Sequence, residues 1–155
     1  MFISSAYAQA AAGGSTLATQ LEKYRHSPQG LTSDMTEKFR QLVSASVRSY
    51  QNSVDTSDSR QNIVLDYINT VPLAATASFG AVHGVGEGLH AWFGAQPAQV
   101  NKLLQQGAPY TDEQGLALKQ VIALIVAQRR PSYYLLQGHA DLEELTDSHI
   151  RLLAR

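Results

Sequence analysis

Gly13-Gly14-Ser15-Thr16 stands directly before a stretch of helical periodicity, Leu17-Ala18-Thr19-Gln20-Leu21-Glu22-Lys23-Tyr24. Unpaired backbone N–H groups, two hydroxyls and the positive end of the helix dipole meet at such a start, which suits an anionic ligand. Gln20 and Lys23 follow one and two turns on. Lys23 is four residues from Thr19 and seven from Thr16, so hydroxyl, amide and ammonium groups share one helix face. A stripe of that kind can hold a pyrophosphate. It is also what an ordinary capped amphipathic helix with a solvated polar face looks like, and spacing alone leaves both readings open.

Proton transfer needs a different set of residues, carboxylates first among them. The twelve residues before Gly13 include no acidic residue. Glu37 opens the segment Glu37-Lys38-Phe39-Arg40-Gln41, in which Gln41 is an amide and neither gives nor takes a proton near neutral pH. Glu87, in Gly86-Glu87-Gly88, lies at a helix start, where stabilisation of the helix end explains it as well as catalysis does. Asp66 precedes Tyr67 on a helix and suits an exposed or paired acid. Glu22 adjoins Lys23 but projects elsewhere on the helix. His83 and His90 flank a glycine-rich segment without zinc-site spacing, and no HExxH pattern occurs. The absence of cysteine excludes disulfides, thiolate metal sites and a cysteine nucleophile. Trp92-Phe93 and Tyr133-Tyr134 suit a core better than a sugar platform.

The elements that must position these groups are helical almost throughout, and the fold class is all-α. Ser15 or Thr16 caps a helix with Leu17, Leu21 and Tyr24 on one face. Ser33 or Asp34 starts a longer helix whose buried stripe is expected to be Met35, Phe39, Leu42, Val43, Val47 and Tyr50. A third helix carries Ile63, Val64, Tyr67 and Ile68 and ends near Asn69, ahead of Pro72, with Asn69 capping or bridging backbone there. Residues 71–83 are small, Gly- and Pro-containing, and are expected to form a loop. Gly84–Gly94 is a short helix with Leu89, Trp92 and Phe93, bounded by its glycines. Pro97 suits the first turn of the next helix, which ends near Gly107. Thr111-x-x-Gln114 has the form of a capping box. The helix behind it is apolar on most sides over Val121–Val126, so it is expected to be central and to run to about Arg130, where Pro131 stops it. One helix or a pair covers Leu142–Leu153.

The 155 residues fit one domain, 44 % of them are apolar and 16 % charged, which indicates a globular chain. A net charge of -1 excludes a bulk electrostatic nucleic-acid binder, so any anion site is local. No apolar run reaches the length of a bilayer span. Ala6-Tyr7-Ala8 mimics a signal-peptide cleavage site, but the segment lacks a basic start and its apolar stretch is short, so the beginning is expected to be the interior of a longer chain.

Gly-Gly-Ser-Thr-Leu-x-x-Gln-Leu-x-Lys, residues 13–23, resembles the second signature motif of the family 51 glycosyltransferases, the peptidoglycan-polymerising domains of penicillin-binding proteins and monofunctional transglycosylases. Three later segments are similar to that family in the same order: Arg60-Gln-Asn-Ile-Val-Leu-Asp-Tyr-Ile-Asn69, Gly84-Val-Gly-Glu-Gly-Leu-His-Ala-Trp-Phe-Gly94 and Gln128-Arg-Arg-Pro-Ser-Tyr133. The likeness covers most of residues 13–136 and belongs to a divergent branch. It implies a lysozyme-like helical domain over residues 1–155, incomplete at its N-terminus, with 1–12 as a flexible lead-in and 137–155 as C-terminal helices.

The chemistry implied is transfer of lipid-linked disaccharide units with inversion at the sugar carbon. The pyrophosphate leaving group needs cations and donors, and the attacking hydroxyl needs a base. The resemblance assigns donor binding to Ser15, Thr16, Gln20 and Lys23, with Arg25 and Lys38 as weaker partners, and a structural role to Gly13, Gly14, Asn69, Gly84 and Gly94. Its catalytic Glu motif has no counterpart before Gly13, and Gln41 stands where its second glutamate belongs, leaving Glu37 and Glu87 as the low-ranking substitutes. No cofactor is implied beyond a divalent cation that the pyrophosphate could take. Implied partners are a lipid-linked muropeptide donor, the growing glycan strand and, through the lipid, a membrane surface; nucleic acid is not among them. The implied location is the outer face of the bacterial cytoplasmic membrane. Two other readings stay open: a non-catalytic module that binds glycan-lipid or protein, and a lysozyme-like lytic enzyme.

Overall fold

The computed structural model describes residues 17–26, 35–49 and 57–154. The described residues are mostly helical, with one small two-stranded sheet among them. The all-α expectation therefore holds, and the chain folds as two compact units, residues 1–67 and 68–155.

In the first unit, α1 (Leu17–His26) packs against α2 (Met35–Ser49), and α3 (Ser57–Thr70) follows. The capping role given to Ser15 or Thr16 lies outside the described residues. The apolar stripe expected to be buried on α2 is not. Phe39 is 68 % exposed and Val47 63 %, and Leu42 and Val43 are exposed as well; Met35 and Tyr50 lie outside the residues whose side chains are described. The buried residues of α2 are Gln41 and Ala45, and they meet a face of α1 that buries Thr19, Leu21 and Glu22. Periodicity identifies an apolar face but not what lies opposite it. Here the small and polar face makes the helix–helix contact.

The second unit has the apolar core. Its centre is α6 (Asp112–Ala127), which buries Ala117, Ile122, Ala123, Leu124, Val126 and Ala127, while Ile125 stays exposed. Around it lie α4 (Gly84–Phe93), α5 (Pro97–Leu104), α7 (Pro131–Leu136) and α8 (His139–Leu153). Leu89, Val100, Leu135 and Leu142 contribute from these four helices. The capping box at the start of α6 is complete. Thr111 Oγ1 accepts from the Gln114 N–H at 3.2 Å, and Gln114 Oε1 accepts from the Thr111 N–H at 2.8 Å. Gln114 is buried, and its Nε2 also donates to the carbonyls of Leu103 and Gln106, both at 3.1 Å, fastening the end of α5 to α6.

Two boundaries differ from the sequence-based expectation. The segment expected to be a loop is a hairpin, β1 (Pro72–Thr76) with β2 (Gly80–His83), antiparallel, pairing Pro72 with His83 and Leu73 with Val82. Neighbouring residues Leu73 and Ala74 are both buried, and the register shifts before Thr76. A strand that short and irregular has no period-2 signal to display. The central helix stops at Ala127 and not near Arg130. Arg130 is driven to an extended φ of -151° by the following proline. Pro131 then occupies the first turn of α7, where its missing N–H is not needed. Residues expected in one helix or a pair at the end form the single helix α8.

Candidate functional site

The first unit is polar where its helices meet. Glu22 is 1 % exposed, Gln41 6 % and Thr19 8 %. Ser44 on α2 donates its hydroxyl hydrogen to Glu22 Oε2 at 2.7 Å. Gln41 lies three residues before Ser44, one turn away on the same side of α2. Its Nε2 is buried and has no hydrogen-bond partner among the described residues. Gln20, half-buried on α1, accepts a hydrogen bond at Oε1 from the Tyr67 hydroxyl at 3.3 Å. Its amide nitrogen is then the end suited to an oxygen ligand. Lys38 is half-buried on α2, one turn before Gln41.

The backbone of α1 carries Lys23 and Arg25, and that of α2 carries Glu37, but these three side chains lie outside the described residues. So do Gly13, Gly14, Ser15 and Thr16 entirely. The structure thus brings together Gln20 and Lys23 on one helix and Lys38 and Gln41 on the helix packed against it. It adds Glu22 and Ser44, which the sequence did not mark as a pair. Their partnership spans 22 residues of chain, and nothing local announces it.

Compared with known proteins, the chain matches the transglycosylase family model over residues 2–154. It belongs to the transglycosylase family. No match is found among curated proteins or solved structures. Membership implies, in general terms, peptidoglycan glycosyltransferase chemistry and dealings with glycan strands and lipid-linked substrate.

In this transglycosylase chain the glycine-rich segment after the hairpin is built tightly. Gly84 has φ +70°, donates its N–H to the Val71 carbonyl at 2.7 Å, and has the Asn69 carbonyl oxygen where a side chain would begin, 2.3 Å from an ideal Cβ. The end of α3 and the start of α4 thus touch backbone to backbone through Asn69 and Gly84. Gly94 closes α4 at φ +63°, its N–H bonded to the His90 carbonyl at 3.0 Å. At Gly88 a methyl group would strike Leu73 Cδ1 at 2.7 Å and Leu124 Cδ1 at 3.0 Å, so this glycine sets how closely α4 seats on the hairpin and α6.

Glu87 serves the same helix start. Its Oε2 accepts from the His83 backbone N–H at 2.7 Å and lies 4.0 Å from His83 Nδ1, with both side chains about half exposed. The aromatic residues serve the fold as well. Trp92 Nε1 donates to the Ala74 carbonyl at 3.1 Å, and Tyr133 meets Tyr134 edge-on while Arg130 lies over the Tyr133 ring. Among the described residues no group of three or more His, Asp or Glu side chains is placed to hold a metal ion. Among them also, no helix is long and apolar enough to cross a membrane.

Proposed function

We propose that this chain is the donor-holding part of a peptidoglycan glycosyltransferase, binding a lipid-linked disaccharide through its pyrophosphate. The observation that carries this is the family match across residues 2–154, on a chain whose GGSTLATQLEK segment enters α1. Ser15 and Thr16 with the helix start, Gln20 through its amide nitrogen, and Lys23 supply donors and positive charge to the diphosphate; Arg25 and Lys38 add charge nearby. A divalent cation can join them at the pyrophosphate. Stabilising that group favours departure of the polyprenyl pyrophosphate as the new glycosidic bond forms.

The described residues at the positions considered for the base, Gln41 and Glu87, do not supply one. Position 41 is an amide, and Glu87 is engaged at a helix end. Binding without turnover by the 155-residue chain follows from this, and the same amide favours the second reading, a non-catalytic glycan-lipid module. The exposed apolar face of α2, with Phe39, Leu42, Val43 and Val47, supports work at a membrane surface, where the lipid tail of the substrate resides.

Binding of a polyprenyl pyrophosphate disaccharide in detergent tests the proposal. Lys23→Ala is expected to weaken it by roughly tenfold or more, the worth of one charge-assisted contact, while the melting temperature stays within a degree or so of the parent. Parent-like binding by that variant removes Lys23 from the site. Glycan polymer made by the purified chain overturns the reading of position 41.

A further inference from the structure

The second unit contains an open cleft of about 370 Å³, within the span of about 300–1,000 Å³ usual for small-molecule sites. Three elements enclose it: the end of α4 with the turn that follows, α5, and the N-terminal part of α6. Its polar groups are Gln96 and Gln99 at the start of α5, and Glu113 and Gln120 on α6. Phe93 and Leu116 supply apolar wall. Phe93, expected in the core, is 38 % exposed here, and Leu116 is 58 % exposed.

The fold makes no use of the four polar side chains. Gln96 is the N-cap residue of α5, yet its side chain makes no capping bond. Thr111 and Gln114 cap α6, so that cap does not call on Glu113. Among the described residues none of the four has a side-chain hydrogen bond or an ion pair. Three amides and a carboxylate therefore face one cleft from two helices, beside two exposed apolar side chains.

The lining selects the ligand. No lysine, arginine or histidine is among the lining residues, so a phosphate finds no counter-charge there. A metal ion takes several oxygen ligands, and no group of His, Asp or Glu side chains among the described residues is placed to hold one. Amides both donate and accept, as sugar hydroxyls and acetamido groups do. The C–H face of a sugar ring leaves water by resting on an apolar wall. Resting on the glycosyltransferase reading, which brings a glycan strand to the chain, we propose that this cleft is a glycan-strand subsite. It takes one uncharged sugar ring, with the C–H face on Phe93 and Leu116 and the polar edge bonded to Gln96, Gln99, Glu113 and Gln120.

The test uses the whole chain and follows the side-chain amide signals of Gln96, Gln99 and Gln120 by NMR, assigned by their loss in Gln96→Ala, Gln99→Ala and Gln120→Ala. Titration with tetra-N-acetylchitotetraose is expected to move those signals, and titration with inorganic pyrophosphate to leave them in place. Gln96→Ala combined with Gln99→Ala is expected to weaken the sugar by roughly tenfold, at about two- to tenfold for each neutral hydrogen bond lost. Both side chains are exposed, so the melting temperature of that variant is expected to stay within about two degrees of the parent. Acetyl-trialanine amide offers peptide donors and acceptors in place of a sugar. Signals that move with this peptide or with pyrophosphate but not with the sugar overturn the proposal, as does a double variant that binds the sugar as the parent does. If the parent binds the polyprenyl pyrophosphate disaccharide through Lys23 while these signals ignore the sugar, this proposal alone fails. If the cleft takes the sugar while Lys23→Ala leaves disaccharide binding unchanged, the donor-site reading alone fails.

Discussion

Ser44 reaches across from α2 to give Glu22 of α1 a hydrogen bond of 2.7 Å, and Glu22 is almost wholly enclosed at 1 % exposure. A buried carboxyl that loses a donor keeps its desolvation cost and forfeits the compensation. Ser44→Ala is therefore expected to destabilise the chain by about 1–3 kcal/mol in urea unfolding. Parent-like stability of Ser44→Ala contradicts this account of the pair.

Gly84 and Gly86 lie two residues apart on α4 and are expected to respond oppositely to alanine. At Gly84 a Cβ meets the Asn69 carbonyl oxygen at 2.3 Å with φ at +70°. The left-handed backbone alone costs roughly 1–2 kcal/mol for a non-glycine residue, and the backbone contact adds to it. At Gly86 nothing lies within 4 Å of the added methyl. Alanine there removes the entropic cost of a helical glycine and is expected to stabilise by roughly 0.5–1 kcal/mol. Thermal unfolding of the two variants side by side decides it.

The helices were legible because their signals are local. Thr111 and Gln114 announce a capping box, Pro97 a first turn, Gly94 an end, and each depends on neighbours within four residues. The hairpin of residues 72–83 was not, since its strands bury adjacent residues and derive their pairing from Leu73 meeting Val82 across a turn. The orientation of α2 was misread for a related reason: Phe39 and Val47 make an apolar face, and only the partner helix decides that Gln41, Ser44 and Ala45 turn inward. Within the candidate site, the stripe of Gln20 and Lys23 and the amide at Gln41 were visible in the chain. The buried Glu22–Ser44 pair was not, because it exists only once two helices meet.

Lys119 and Tyr133 give the second unit a defined response to alkali. Lys119 Nζ lies 2.9 Å from Asp147 Oδ1 and 3.0 Å from Glu143 Oε1, and the hydrogen bond to Asp147, then that to Glu143, raises its pKa above the ordinary 10.5. The Tyr133 hydroxyl donates to Asp141, and that bond raises its pKa above 10.0. Both folded values exceed the unfolded ones. The stabilisation is therefore complete below about pH 10 and is lost as the pH climbs through the raised values. Both side chains are only half-buried and their polar ends meet water, so the effect is small and shrinks with added salt. Melting temperatures measured from pH 8 to 11 are expected to fall less steeply at the alkaline end for Lys119→Met with Tyr133→Phe than for the parent.

The apolar face of α2 is large for a surface that meets only water, with Phe39 68 % and Val47 63 % exposed beside Leu42 and Val43. Exposed patches of this sort mark sites of association, and the proposed work at a membrane surface makes an anionic bilayer the partner to test, with Lys38 and Arg40 between the apolar positions of the helix. Burial of the Phe39 and Val47 side chains in the interface contributes about 1.5–3 kcal/mol each at most. Phe39→Ser with Val47→Ser is thus expected to lower co-sedimentation with phosphatidylglycerol vesicles by tenfold or more, on that scale. Because these side chains are already in water in the free chain, the melting temperature is expected to change little. A double variant that still sediments with vesicles sinks the membrane role of this face. One that melts many degrees lower shows instead that the face is packed against protein.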